Sequence, residues 1–300
     1  MSIAAGAERS VRTLALLVSL AALSALLVPA ELHASTPSEN ERLLERYRPV
    51  LRYDAQERYF AQPVSLPPES AEVVPGDRVY GHIAREGRDT WLQYWLFYAD
   101  NPQDRSPLGT GTHEGDWELI QLRLGSDGEP DLSVSSQHSW AEACGWDELE
   151  MSSQGGSSGP AYFVANGSHA SYSRAGDYDR PFPDPTDEAG GDGPTARPDL
   201  EVIEDGDPDW VDYGGRWGET EAGIVPGESS SPYGPRFQES EVWDEPTSYY
   251  SERARECGTG PPGRPLQTAA VVLLVVGGVG ALAYRRFRRS RSPDGPPPTP

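Results

Sequence analysis

Residues 90–100 read TWLQYWLFYAD, and this stretch narrows the fold more than any other in the chain. Apart from Gln93, every residue from Trp91 to Ala99 is apolar or aromatic. Side chains on a strand alternate between two faces. A strand this apolar therefore needs cover on both of its faces.

The stretches after it carry strand signals of their own. WELIQLRL (Trp117–Leu124) puts Ile120, Leu122 and Leu124 on one face. After an SDGEP turn, DLSVSSQHSW (Asp131–Trp140) puts Leu132, Val134, Ser136 and His138 together. PAYFVANGSHASY (Pro160–Tyr172) reads as a strand running into a polar loop. A short helix stopped by Pro49 precedes them, and LRYDAQERYF reads as extended. From Asp177 the chain turns acidic and rich in Pro and Gly, which reads as a long loop with structured islands at DWVDYGGRWGET and SSSPYGPRFQESEVW. The expected fold is mainly β: two packed antiparallel sheets, sandwich-like, with long irregular loops and one C-terminal transmembrane helix.

Both ends carry targeting signals. Arg9 and Arg12 precede the apolar stretch Thr13–Val28, and small-residue cleavage sites follow. Residues 1–34 therefore read as an export signal. Near the other end, TAAVVLLVVGGVGALAY (Thr268–Tyr284) carries no charge and spans about 26 Å as a helix, enough to cross a bilayer. Five arginines follow between positions 285 and 291 and hold that flank in the cytoplasm. The expected organisation is signal 1–34, extracytoplasmic domain 35–255, Gly/Pro spacer 256–265, transmembrane helix 266–284 and cytoplasmic tail 285–300. The cell membrane is thus an expected partner, with the bulk of the chain outside the cytoplasm.

Charge excludes one class of partner. Three of the 47 acids and seven of the 25 arginines lie outside residues 35–265, which leaves 44 acids against 18 arginines, and there is no lysine. Such a surface repels nucleic acid. Cys144 and Cys257 both fall in the exported part. They are a candidate disulfide, the alternative being that Cys257 belongs to a C-terminal sorting signal.

The chemistry-bearing stretch is TGTHEGDWELIQ (residues 110–121). It is not a helical zinc-protease motif, because the fourth residue after His113 is Trp117 rather than histidine. Read as a strand, it puts Glu114, Asp116 and Glu118 on one face, leading into Ile120 and Leu122. Carboxylates at the mouth of a core face need a partner, a proton or a metal. His169, in ANGSHASY, and His138, in SSQHSW, sit near the ends of other strands. The candidate metal ligands are His113, Glu114, His138 and His169, and His plus carboxylate suits zinc or manganese. The candidate catalytic residues are Asp116, Glu118 and Arg216. Arg216, in DYGGRWGE, either holds an anionic substrate group or pairs with one of those carboxylates.

RPVLRYDAQERYF, YWLFYADN, HEGDWELIQL, SQHS, YFVANGSHASY, YGGRWGE and YGPRFQ, in this order, resemble the vacuolar protein sorting-associated protein 62 family and its bacterial relatives. The resemblance covers about Arg48 to Trp243. It implies a single domain and marks HEGDWE as a family feature, but it implies no reaction. The acidic insert around Asp184–Asp209 and the C-terminal apolar segment depart from the family pattern and point to a surface-tethered member. The function expected is therefore a metal-dependent hydrolase using His113, the Glu114, Asp116 and Glu118 group and His169, the alternative being a non-catalytic module binding an envelope polysaccharide or a surface partner.

Overall fold

In the computed structural model the described residues are 37–64, 77–102, 111–180, 184–219, 230–238 and 241–261. The expected export signal at 1–34, the apolar segment at 266–284 and the arginine-rich tail lie outside them. Among the described residues no helix is long and apolar enough to cross a membrane. Fourteen strands run in chain order: β1 (Val50–Tyr53), β2 (Arg78–Glu86), β3 (Asp89–Asn101), β4 (His113–Leu124), β5 (Pro130–Gln137), β6 (Trp140–Gly145), β7 (Met151–Gln154), β8 (Ser157–Val164), β9 (Ser171–Tyr172), β10 (Gly176–Tyr178), β11 (Asp187–Ala189), β12 (Thr195–Ala196), β13 (Asp199–Val202) and β14 (Ala254–Glu256). Two helices, α1 (Glu39–Arg46) and α2 (Pro246–Arg253), flank them.

The apolar run at Trp91–Ala99 is the middle of β3, inside a seven-stranded sheet ordered β13-β2-β3-β4-β5-β6-β14. Leu92, Tyr94, Leu96 and Tyr98 leave one face of β3 and meet Ile120 and Leu122 of β4. The same cluster takes in Leu51 and Tyr53 of β1 and Tyr162 and Val164 of β8, which belong to the second sheet, β12-β1-β8-β7 with β9 on β8. Trp91, Trp95 and Phe97 leave the other face and pack with Trp117, Val211, Trp217, Trp243 and Tyr249. The cover on that side comes from the C-terminal third of the chain, not from a third sheet. Each buried aromatic removes roughly 150–250 Å² from water, which makes this layer a major part of the core.

The sheets are mixed, a departure from the antiparallel sandwich expected. Three pairs are parallel: β1 with β8, β13 with β2, and β14 with β6. Parallel neighbours need long connections. The strands in these pairs are indeed far apart in sequence, and no local hairpin signal announces them. The β1 and β8 backbones approach so closely that only glycine fits at Gly159, where a Cβ would collide with the carbonyl of Arg48. The acidic stretch from Asp177, expected as a loop, contributes most of β10 and all of β11 to β13, and β12 and β13 edge the two sheets.

Cys144 of β6 and Cys257 are disulfide-bonded across a separation of 113 residues. The fold runs past position 255, since Glu256 pairs with Ala143 and Gly258 donates to Glu142 at 2.5 Å.

Candidate functional site

β4 begins at His113, four residues before the expected start, so HEGDWE lies within the strand. It pairs with the end of β3, with Tyr98 opposite Asp116, Asp100 opposite Glu114 and Asn101 opposite His113. Here the apolar strand interior gives way to polar side chains that remain buried. Asn101, Asp116 and Glu118 are each less than a tenth exposed.

The loop after β8 delivers His169 to them. Gly167 takes φ +75°, and the chain turns so that the His169 N–H reaches the Ala165 carbonyl at 3.0 Å. His169 itself takes φ +55°, a conformation few non-glycine residues adopt. Its ring, fully buried, lies on the Tyr98 ring with centroids 3.9 Å apart and planes 3° from parallel. Nδ1 donates to Oδ2 of Asp116 at 2.9 Å, and Nε2 faces Oε1 of Glu57 at 3.6 Å, an ion-pair distance. Burial disfavours charge on this ring, but Glu57 and Asp116 outweigh it and push the pKa up to about 10. Burial would likewise raise Glu57. The His169 charge and the backbone N–H groups of Gly167 and Tyr59 prevail and hold its carboxyl below the usual range.

The network continues outward from Asp116. Asn101 Nδ2 lies 3.4 Å from Oδ2 of Asp116 and 3.3 Å from Nε2 of His113. With Nε2 accepting from Asn101, Nδ1 of His113 carries the proton it donates to the Gly115 carbonyl at 2.8 Å. Oδ1 of Asn101 is buried without a hydrogen-bond partner. Glu118 accepts from the Ser136 hydroxyl. Burial, reinforced by the Asp116 charge, pushes its carboxyl well above the ordinary range and favours the neutral acid.

A second polar hub stands beside the first. His138, at φ +60° in the β5–β6 turn, places Nε2 2.7 Å from Oδ2 of Asp187. Asp187 also accepts from Tyr172 at 2.6 Å and Ser168 at 2.8 Å, and Arg180 lies 3.6 Å away. Burial would raise this carboxyl, but His138 and Arg180 hold it far below its ordinary value.

Over these groups lies a cleft in two lobes that share Trp117, Glu118, His138, Ser139 and Ser230. One lobe, about 450 Å³, is walled by Asn101, His113, Asp116 and Trp140. The other, about 490 Å³, is walled by Trp95, Arg216, Tyr233, Gln238 and Arg253.

The structure thus gathers Asp116, Glu118, His113, His138 and Arg216 around one cleft and seats His169 beneath it. Glu114 faces elsewhere and accepts from the Glu219 N–H at 2.9 Å. Among the described residues, one group of three His, Cys, Asp or Glu side chains has its ligand atoms all within 4.8 Å of one another: Glu142, Cys144 and Cys257, of which the cysteines are oxidised. His113, Glu114, His138 and His169 do not converge in that way. Of the two readings of Arg216, pairing with the strand carboxylates is not what the structure shows. It donates to the Ser231 carbonyl at 2.6 Å and stacks over Tyr233, its guanidinium carbon 4.5 Å from the ring centroid.

Sequence reasoning passed over Glu57, Asn101, Asp187 and Arg253. Asp187 lies in a stretch dense with similar acids, and no local pattern marks it or Glu57 as buried.

No family model matches the chain, and no curated protein matches it. Among solved structures, it is similar to NLPPya in complex with mannosamine, at 11% identity and TM-score 0.41, over 69% of this chain and 90% of that one. It is similar to a protein described as a toxin fold for microbial attack and plant defense, at 14% identity and TM-score 0.40, over 69% and 90%. It is also similar to Necrosis and Ethylene inducing Protein 2 from the causal agent of cocoa's Witches Broom disease, at 14% identity and TM-score 0.33, over 56% and 76%. Likenesses of this size carry no argument about what the chain binds.

Proposed function

We propose that this chain is a membrane-tethered extracytoplasmic binding module that takes a carbohydrate in the cleft above HEGDWE. One observation carries this reading. The cleft wall mixes the rings of Trp117, Trp140 and Tyr233 with fixed hydrogen-bonding groups on Asp116, Glu118, His138 and Gln238. A sugar ring offers an apolar C–H face and a rim of hydroxyls, and this wall complements both. The lobe volumes fall in the range of small-ligand pockets. The buried network beneath holds Asp116 in position, so little ordering is needed on binding.

A glycan array probed with the purified full-length chain tests it. At least one envelope oligosaccharide is expected to bind, with affinity lowered about tenfold in Trp140→Ala. Failure to bind any envelope glycan would remove the reading.

A divalent cation in the Asn101 lobe is a second reading, favoured by the orphaned Oδ1 of Asn101 beside Asp116 and His113. Oxygen donors with one imidazole suit manganese or zinc. A metal-assisted hydrolase would need that cation, with Glu118 as proton donor. Metal analysis of the purified full-length chain, with Asn101→Ala as control, decides it. A chain free of metal and unmoved in melting temperature by manganese or zinc would exclude the cation.

A further inference from the structure

The lobe walled by Arg216 and Arg253 differs in charge from the rest of the domain. Several arginines of this acid-rich chain are paired with carboxylates, as at Arg46, Arg52, Arg78, Arg123 and Arg197. Arg216 and Arg253 are not. Arg216 donates to the Ser231 carbonyl and Arg253 to the Ser139 carbonyl at 3.0 Å. Each guanidinium also lies over a tyrosine ring, Tyr233 at 4.5 Å and Tyr249 at 5.8 Å. Neither has a carboxylate partner among the described residues. A guanidinium has five N–H donors, so each keeps several for a ligand.

The other groups on that wall do not cancel the two charges. Glu118 is the only acid among the described residues that line the lobe. Its buried carboxyl accepts from the Ser136 hydroxyl and pairs with neither guanidinium. The stacked tyrosines and the carbonyl hydrogen bonds fix both guanidinium planes in advance, which suits bidentate capture of a planar or tetrahedral anion. The surrounding surface repels anions at long range, so the recognition must be short-range and confined to the cleft.

We infer that Arg216 and Arg253 form an anion subsite, and that the saccharide held by the cleft is an acidic one carrying a carboxylate or sulfate group in that lobe. This rests on the carbohydrate reading above and extends it to a ligand class. The sugar body lies against Trp117 and Glu118, and its charged substituent lies between the guanidiniums. Both ionic forms share one chemistry, an oxyanion offering two or more acceptor oxygens.

The test uses the full-length chain in detergent micelles at constant ionic strength. An array pairs uronic-acid and sulfated oligosaccharides with their neutral counterparts, methyl esters for the uronic acids and unsulfated sugars for the sulfated ones. In parallel, inorganic sulfate is titrated against tryptophan fluorescence, since Trp95 and Trp117 line the lobe. Acidic members are expected to bind at least about tenfold tighter than their neutral partners, the scale of a charge-assisted hydrogen bond. Arg216→Gln and Arg253→Gln should each bring that ratio towards one, and Arg216→Lys should keep part of it. Sulfate should quench saturably and lose its effect in both glutamine variants. A ratio of one in the parent chain, or a ratio unchanged in both variants, overturns the inference and leaves the carbohydrate reading standing. Sulfate binding that depends on both arginines, with no glycan bound, keeps the anion subsite and removes the sugar. No response to either probe removes both.

Discussion

Nδ1 of His169 stands 2.9 Å from Oδ2 of Asp116, with both side chains buried and a sequence separation of 53. Glu57 closes the other side of the ring. Removing the imidazole strands two carboxylates in the interior. His169→Ala should therefore destabilise the chain by about 3–5 kcal/mol, the usual cost of leaving a buried charge unpaired. The same substitution in an Asp116→Asn background should cost less, because the two groups are coupled. Urea midpoints of the four chains give the coupling, and additive costs would mean that the pair does not act as a unit.

These groups also set a pH window. The folded chain holds the His169 proton more tightly than the unfolded chain does, with a pKa of about 10 against an ordinary 6.5. That contribution is complete below pH 6.5 and is lost as pH rises through 10. Glu118, raised above its ordinary 4.5, adds a decline that begins at lower pH. Asp187, depressed below its ordinary 3.8, contributes above that value and loses the contribution as pH falls. Melting temperature should therefore peak at about pH 4.5 and fall as pH rises, first through Glu118 and then through His169. Glu118→Gln should flatten the first part of that fall. A maximum at pH 8 or above would contradict the buried charges described here.

Cys144 and Cys257 close a long loop, and the segment they fix is the last described stretch before the apolar run at 266–284. In the chain-entropy account a loop of about 100 residues is worth about 4.7 kcal/mol. Cys144→Ser with Cys257→Ser should lower the denaturation midpoint accordingly. It should also release β14, read as faster hydrogen exchange at residues 254–256.

Gly218 seats the YGGRWGE island on the start of β4. It takes φ +130°, and a Cβ there would meet the Glu114 carbonyl oxygen at 2.5 Å. Gly218→Ala should cost about 1–3 kcal/mol through strain and crowding. It should also displace the neighbouring Trp217, visible as a change in tryptophan emission. Unchanged emission and stability would show that the island does not depend on this contact.

The proposed topology is open to a direct measurement. A reporter active only in the cytoplasm, fused after residue 300, should be active in the full chain. It should lose activity when the arginines at 285–291 are replaced by glutamine. Activity of an export-dependent reporter at the same position would reverse the orientation.

The sequence by itself determined what depends on local periodicity. The run from Trp91 to Ala99 demanded two covered faces, and the alternation through Ile120 and Leu122 placed Asp116 and Glu118 at the edge of a buried face. The histidines at 113, 138 and 169 stood out because each lies near a strand end. What covers β3, and which partner each polar group finds, only the tertiary structure decided. Trp217 and Trp243 reach the outer face of β3 from more than a hundred residues away, and β1 meets β8 in parallel across a similar gap. Asp187 is buried in a stretch where most acids are not, and nothing local marks Glu57 as a partner of His169. Arg216 went to a tyrosine and a carbonyl instead of a carboxylate, and Arg253 joined it from α2. The physical reason is that alternation along a strand fixes the face a side chain leaves from, whereas its neighbour across that face is chosen by long-range packing and by the burial that makes an unpaired charge costly.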